Sequence, residues 1–214
     1  MSKVKVSNVR IAFIKNLWTP TEFKAGDGKF RHGATFLIEK DSANDKAVRA
    51  EIMNVATAAW NTNAKKILAD IVTNNQKFCY LFEKTNKEGD VNEGFEGMMS
   101  LASNRGARKG PVLIVDQDGR TVLTENSGRL YGGCYVNATI DIWAQTGEFG
   151  PAIRAVPIGI QLVEQGDAFS GAPPASLDDF EDLTDGKGAD DFGPVYTGGS
   201  PDPKEDRDPL AGFI

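Results

Sequence analysis

A clear alternation of apolar and polar residues marks positions 131–144, and it constrains the fold more than any other part of the chain. The apolar positions share one parity: Cys134, Val136, Ala138, Ile140 and Ile142. The other parity carries Tyr135, Asn137, Thr139, Asp141 and Trp143. Successive side chains of a strand point to opposite faces, so this period of two predicts a strand with one buried face. A single strand cannot bury that face by itself, so the chain must form a sheet.

Other apolar runs bounded by turn residues predict further strands: residues 3–16, 30–39, 78–82, 97–102, 111–116 and 152–163. A break in the alternation near Asn8 indicates a β-bulge in the first of these strands. Asp118-Gly119, after the fifth, is a hairpin-turn signal. This number of strands, joined by glycine-rich turns, is typical of a mainly β fold, either a small barrel or a sandwich.

One region, residues 43–72, has helical rather than strand periodicity. Its apolar residues recur at three- and four-residue spacing: Val48, Ile52, Val55, Ala56, Ala59 and Trp60. Asp41 or Ser42 can cap the start of this helix, and the polar residues 61–63 indicate a break into two helices. The combination favours a small barrel with an inserted helical segment.

The composition changes sharply after Gly166. Residues 167–214 contain 12 acidic and 3 basic residues and are dominated by Gly, Pro, Ser, Asp and Glu. Such a segment cannot bury enough apolar surface to offset the entropy lost on ordering, so we predict that it is disordered. The chain is therefore predicted to have a folded domain at residues 1–166 and an acidic tail at residues 167–214. The net charge of −6 comes from the tail, because the domain alone carries +3.

The residue types that most enzymes and metal sites require are scarce in this sequence. His32 is the single histidine, and beside Arg31 in a predicted strand it is interpreted as a surface or groove residue. Neither a zinc-binding spacing of Cys and His nor a glycine-rich nucleotide motif is present. Residues 116–119 begin like a calcium loop but lack its later acidic ligands, which favours a plain turn. We predict a protein without enzymatic activity, metal or cofactor.

The sequence predicts a cytoplasmic protein that does not enter the membrane. No apolar run approaches the ~20 residues that cross a bilayer, and the first residues do not resemble a signal peptide. Cys79 and Cys134 lie in apolar, strand-like runs, so two buried thiols are predicted, with a disulfide as the alternative.

Cations and aromatic residues are interleaved at several places in the predicted domain. Binding a single strand without sequence preference requires cations for the phosphates and aromatic faces for the bases. We predict that six cations contact the DNA backbone: Lys24, Lys29, Arg31, Arg105, Arg108 and Lys109. We predict that four aromatic residues stack on bases: Trp18, Tyr80, Tyr135 and Trp143.

These assignments have simpler alternatives. A basic loop such as residues 104–110 is usually only solvated, and Trp18, beside Pro20, could plug one end of a barrel. Other aromatic residues are predicted to lie in the core: Phe13, Phe36, Trp60, Phe78 and Phe82.

The run Tyr-Gly-Gly-Cys-Tyr-Val-Asn at residues 131–137 resembles a family of phage-encoded single-stranded DNA-binding proteins. Further segments similar to that family extend the resemblance over residues 4–166: residues 6–13, 94–98, 112–119 and 158–166. The resemblance implies an OB-fold, which is a five-stranded barrel, with an acidic C-terminal tail. It also implies a role in phage DNA replication or recombination in the cytoplasm of an infected bacterial host. The oligomeric state stays open, and a homodimer is one alternative.

The C-terminal end resembles the acidic tips of replication single-stranded DNA-binding proteins, which finish in an aromatic residue. Here Asp206 and Asp208 precede Phe213, but Ile214 follows, so the aromatic residue is penultimate. The resemblance implies that these four residues recruit replication or recombination proteins. Carboxylates and phenylalanines can also imitate phosphates and bases, so we predict that the tail competes with DNA. An OB-like adaptor that binds protein rather than DNA is the alternative.

Overall fold

The computed structural model describes residues 2–22, 26 and 28–169 of the 214-residue chain. Its strands are β1 (Ser2–Ala12), β2 (Thr21–Glu22), β3 (Phe30–Glu39), β4 (Tyr80–Phe82), β5 (Met98–Gly106), β6 (Leu113–Val115), β7 (Tyr135–Gln145) and β8 (Ala152–Glu164). Its helices are α1 (Lys15–Trp18), α2 (Ala43–Trp60) and α3 (Ala64–Ile71). Short 3₁₀ turns occur at Asn61–Asn63, Ala107–Lys109 and Glu125–Ser127.

The strands follow the order β4-β5-β3-β1-β7-β8-β6 in one sheet, with β2 paired to β3. The segment 77–79 joins the two sides of this sheet. The backbone N–H of Ile153 in β8 donates to the carbonyl of Lys77 at 2.8 Å, and that of Ala102 in β5 donates to the carbonyl of Cys79 at 2.8 Å. The five long strands thereby close into an OB-like barrel, which confirms the predicted mainly β fold.

The bulge predicted near Asn8 is confirmed. The register between β1 and β7 shifts between Val6 and Val9, and Asn8 has a positive φ of 52°. Its backbone N–H, displaced from the ladder, donates to the Oδ1 atom of Asn137 at 3.0 Å. The predicted strand at residues 3–16 is too long, however, because α1 follows β1 almost directly.

The inserted helical segment is also confirmed. The hydroxyl of Ser42 accepts a hydrogen bond from the backbone N–H of Asp45 at 3.2 Å, which caps α2. Asn61, with φ of 52°, breaks the helix at the predicted position. The apolar stripe of α2 packs into the barrel core, where Val48 and Ala56 are fully buried.

Three local predictions need correction. Phe13 was predicted to be core but is 50% exposed, because its positive φ of 53° turns the chain after β1. His32 is buried rather than exposed, and its Nδ1 atom lies 3.1 Å from the carbonyl oxygen of Leu17. Residues 104–106 continue β5, so the predicted basic loop is partly strand.

Cys79 and Cys134 are both free thiols, and the disulfide alternative is excluded. Cys134 is buried and Cys79 is half-buried. Burial raises the pKa of both thiols. Across residues 2–22, 26 and 28–169, no helix is long and apolar enough to cross a membrane.

Candidate nucleic-acid interface

Four strand ends meet at one end of the barrel, which we call the basic end. Here β3 begins, β5 ends, β7 ends and β8 begins. Arg31 pairs with Gly106 across β3 and β5, while Trp143 pairs with Arg154 across β7 and β8. Arg31 and Arg154 lie close enough to interact electrostatically. Residues 123 positions apart in sequence therefore supply positive charge to the same surface.

Arg154 is held without a carboxylate partner among the residues that the structure describes. Its guanidinium donates to the carbonyl of Gln76 at 2.6 Å and to the Oε1 atom of Gln145 at 3.4 Å. Burial and the neighbouring positive charge of Arg31 lower its pKa. Like charges held together in this way favour binding of an anion such as a phosphate.

Exposed aromatic rings lie at the same end of the barrel, and Trp143 is the cross-strand partner of Arg154. Trp143 is 41% exposed on the outer face of β7, and Phe149 is 80% exposed in the turn between β7 and β8. Phe30 is 49% exposed at the start of β3, next to Arg31. The turn that carries Phe149 also contains an acidic residue, Glu148. Aromatic faces between cations are the arrangement with which proteins hold an unpaired strand, at about 1–3 kcal/mol per stacked base.

The sequence-predicted Arg105 holds the backbone of the neighbouring turn. It is half-buried, and its guanidinium donates to the carbonyls of Gly110 at 2.9 Å and Lys109 at 2.7 Å. These bonds fix the 3₁₀ turn Ala107–Lys109, from which the side chains of Arg108 and Lys109 are exposed. Arg105 thus positions two exposed cations, Arg108 and Lys109, at the basic end.

The other predicted residues of the first loop have varied positions. Trp18 ends α1 and is half-buried, with its ring packed against the barrel core, as a plug would be. Lys29 is exposed just before β3. Lys24 lies outside the described residues, so its contact with DNA stays a prediction.

Tyr80 was predicted to stack on bases, and this prediction is wrong because the side chain is only 2% exposed. Its hydroxyl donates to the Oδ1 atom of Asp45 in α2 at 2.7 Å. Burial and the negative charge of Asp45 raise the pKa of Tyr80. Phe82 has the same parity and was predicted to be core, but it is 47% exposed where β4 ends.

Tyr135 lies at the opposite end of β7 from Trp143. The eight residue steps from one to the other correspond to about 27 Å of strand, so the two rings cannot hold the same base. The ring of Tyr135 faces Arg10 instead, with the guanidinium carbon 5.8 Å from the ring centroid. The backbone of Gly166 lies directly against the ring.

Four residues at these surfaces were missed from sequence: Arg10, Lys77, Phe149 and Arg154. One of them carried a usable signal. Phe149 lies in a turn between Gly147 and Gly150, where a large apolar ring has little core to enter. Arg154 shares its parity with Val156, Ile158 and Ile160, so alternation assigns it to the apolar face; a register shift between β7 and β8 places it on the outer face instead. The position of Lys77 near Gly150 depends on barrel closure, which the sequence does not show.

The sequence has relatives among phage proteins. The model of the family described as Enterobacter phage Enc34, ssDNA-binding protein, matches residues 2–192. Protein p50 of Acyrthosiphon pisum secondary endosymbiont phage 1 is 35% identical over 186 residues, which make up 85% of this chain and 94% of p50.

Solved phage proteins share the fold. The single-stranded DNA-binding protein from bacteriophage Enc34 in complex with ssDNA superposes with a TM-score of 0.61 and 21% identity, covering 78% of this chain and 89% of that protein. The bacteriophage T7 single-stranded DNA-binding protein gp2.5 superposes with a TM-score of 0.51 and 12% identity, covering 87% and 97%. These likenesses support the OB-like assignment of the barrel.

Proposed function

The chain belongs to the family of the Enterobacter phage Enc34 ssDNA-binding protein, and from this premise we propose that it binds single-stranded DNA without sequence preference at the basic end. The observation that carries the proposal is that Arg31, at the start of β3, and Arg154, the cross-strand partner of Trp143, lie at the same end of the barrel as the exposed rings of Trp143 and Phe149. We propose that it acts by binding rather than by catalysis, in phage DNA replication or recombination.

The proposed mechanism divides the work between charge and stacking. Arg31, Arg108, Lys109 and Arg154 neutralise phosphates and release counterions, so binding weakens as salt rises. Trp143 and Phe149 stack on unpaired bases, which every base permits because each has a π face. Duplex DNA keeps its bases stacked on each other, so it offers the phosphates without the free faces. This difference is the proposed origin of single-strand preference.

Fluorescence anisotropy with a labelled oligothymidylate and a matched duplex, across a salt series, tests the proposal. Replacing Trp143 or Phe149 with alanine should weaken single-strand binding about 5- to 150-fold, the equivalent of about 1–3 kcal/mol. Phe82→Ala is the matched control, since this exposed ring lies away from the basic end, and it should leave affinity unchanged. Equal affinity for duplex and single strand, or no binding at low salt, would contradict the proposal. Capture of a replication protein without DNA binding would favour the adaptor alternative.

The acidic tail is proposed to recruit replication or recombination proteins through Asp206, Asp208, Phe213 and Ile214, and to compete with DNA for the cations. These residues lie outside the described part of the chain. The support is charge: the tail is strongly acidic, whereas no carboxylate of the described residues forms a salt bridge with Arg154. Deletion of residues 170–214 should tighten DNA binding at low salt and abolish partner capture. Unchanged affinity would remove the competitive part of the proposal.

A further inference from the structure

Residues 166–169 form a short strap that folds back over the start of β7. The hydroxyl of Tyr131 donates to the carbonyl of Gly166 at 2.9 Å, and the backbone N–H of Phe169 donates to the carbonyl of Gly132 at 3.2 Å. The Nη2 atom of Arg10 donates to the carbonyl of Asp167 at 2.5 Å. Residues 167–169 were predicted to be disordered, so these contacts correct the predicted tail boundary.

The strap places the ring of Phe169 in a slot formed by Arg10, Gly94, Phe95 and Gly132. The guanidinium carbon of Arg10 lies 4.2 Å from the centroid of the Phe169 ring. The Phe95 ring is 6.4 Å away on another side, tilted by 52°. Phe169 therefore has a cation over one face and an aromatic neighbour, which is the environment that proteins give to an unstacked base.

Glycine residues make room for this ring. Gly94 has a positive φ of 76°, and a Cβ atom there would overlap the Phe169 ring. A Cβ atom on Gly133, with φ of 118°, would overlap the carbonyl of Asp167. Glycine at such positions allows another group to approach the backbone closely. The slot is thus shaped for a flat group held against the backbone.

A second cation and further rings surround the slot. The Nζ atom of Lys84 lies 5.0 Å from the centroid of the Phe13 ring, whose own centroid is 5.4 Å from that of Phe95. Burial lowers the pKa of Lys84, so its charge gains from a nearby anion. If the strap leaves, the guanidinium of Arg10 loses its bond to Asp167 and becomes available to a phosphate.

We propose that the slot is a nucleobase-binding position, and that Phe169 occupies it as a substitute for a base when DNA is absent. The inference rests on the proposed function and adds a second contact point to it. Arg10 of β1 pairs with Leu37 of β3, and Leu37 has the same parity as Arg31, six residues earlier in that strand. The slot and the basic end therefore lie on the same face of β3. The separation of six residues is about 20 Å along the strand. A DNA strand bound at the basic end therefore has to span this distance before one of its bases can displace Phe169 from the slot.

Two oligothymidylates, of about 6 and about 16 nucleotides, test the proposal by spanning the usual site sizes of OB-folds. Binding of the short oligonucleotide by the full-length chain reports on the proposed function alone. The full-length Phe169→Ala variant should bind the long oligonucleotide about five- to tenfold more tightly, because the slot no longer has to be vacated. The short oligonucleotide should bind both proteins equally. Phe82→Ala should match the wild type with both.

A second measurement needs no substitution. Hydrogen exchange at the Phe169 backbone amide should be slow in the free protein and fast when the long oligonucleotide is saturating. Retained protection in that complex, or equal affinity of Phe169→Ala and wild type for the long oligonucleotide, would overturn the slot while leaving the basic end intact. Arg10→Ala in the Phe169→Ala background should remove the gain in affinity, and a persistent gain would likewise overturn the slot.

Discussion

Replacing Tyr80 with phenylalanine separates a structural role of this side chain from the stacking role that the sequence predicts. The change removes one hydroxyl and keeps the ring. Tyr80 donates to Asp45, which is 1% exposed, over 2.7 Å. A hydrogen bond to a charged group contributes about 1.5–3 kcal/mol, so the free energy of unfolding should fall by that amount. Affinity for single-stranded DNA should not change, because the ring does not reach solvent.

The loss of stability expected for Tyr80→Phe is limited because Asp45 keeps its other hydrogen-bond partners. Its Oδ1 atom also accepts from the Nε atom of Arg49 at 2.6 Å, and its Oδ2 atom accepts from the backbone N–H of Asp41 at 2.9 Å. The carboxylate therefore stays partnered in the variant. For a chain of this size, about 2–4 °C of melting temperature corresponds to each kcal/mol, so the Tm should fall by about 3–12 °C.

The pH dependence gives the same prediction a second test. Burial alone would raise the pKa of Asp45, but hydrogen bonds from Asp41, Tyr80 and Arg49 outweigh it and lower the pKa. A lowered pKa in the folded state contributes stability above the unfolded value of about 3.9, and this contribution is lost as pH falls through the folded pKa. The difference between wild type and Tyr80→Phe should therefore be full at pH 7 and shrink below about pH 4.

Urea unfolding at pH 7 and below about pH 4 measures how the free energy of unfolding differs between wild type and Tyr80→Phe. Tyr135→Phe is the matched control. The Tyr135 hydroxyl has no hydrogen bond to any residue of the described part of the chain, so its removal should change stability by less than about 0.5 kcal/mol. A Tyr80→Phe protein of wild-type stability with weakened DNA binding would refute the structural assignment. It would restore Tyr80 to the DNA interface.

Two further predictions concern the basic end and the strap. Arg154→Gln should lower the slope of log affinity against log salt by about 0.7, the value for one phosphate contact on a single strand, whereas the exposed Lys65→Gln should leave the slope unchanged. Gly133→Ala should destabilise the protein by about 1–3 kcal/mol in thermal unfolding, because its positive φ and the carbonyl of Asp167 both oppose a side chain. Gly147→Ala, in open space, should stay within about 0.5 kcal/mol of wild type.

Local patterns predicted the elements that depend on local physics. The strand at Phe30–Glu39 has the predicted bounds, and β7 buries the predicted parity along its length. The Ser42 cap and the break at Asn61 follow from the hydrogen bonding and backbone preferences of single residues. Each of these features is decided within a few positions of sequence, so periodicity and composition are sufficient.

The site depended on contacts that sequence spacing does not reveal. Tyr80 and Phe82 share a parity, yet Tyr80 is buried with its hydroxyl on Asp45, 35 residues earlier, whereas the ring of Phe82 lines an open groove beside α2 and is exposed. Arg31 and Arg154 lie at the same end of the barrel only because segment 77–79 closes it. The alternation in β7 placed Tyr135 and Trp143 on the same face, but it could not show that the two rings belong to different surfaces at opposite ends of the strand.

The run that carried the family resemblance lies away from Trp143 and Phe149, the residues proposed to stack on bases at the basic end. Within residues 131–137, Tyr131 binds the strap, Gly133 leaves room for it, and Asn137 satisfies the bulge of β1. Each role requires that particular residue type, because a hydroxyl donor, a missing Cβ or an amide acceptor has no simple substitute. Cations and exposed rings at the basic end can move along a surface and still meet a flexible strand. A signature of this kind therefore identifies the architecture that presents DNA-binding residues, and the binding residues themselves have to be found from the structure.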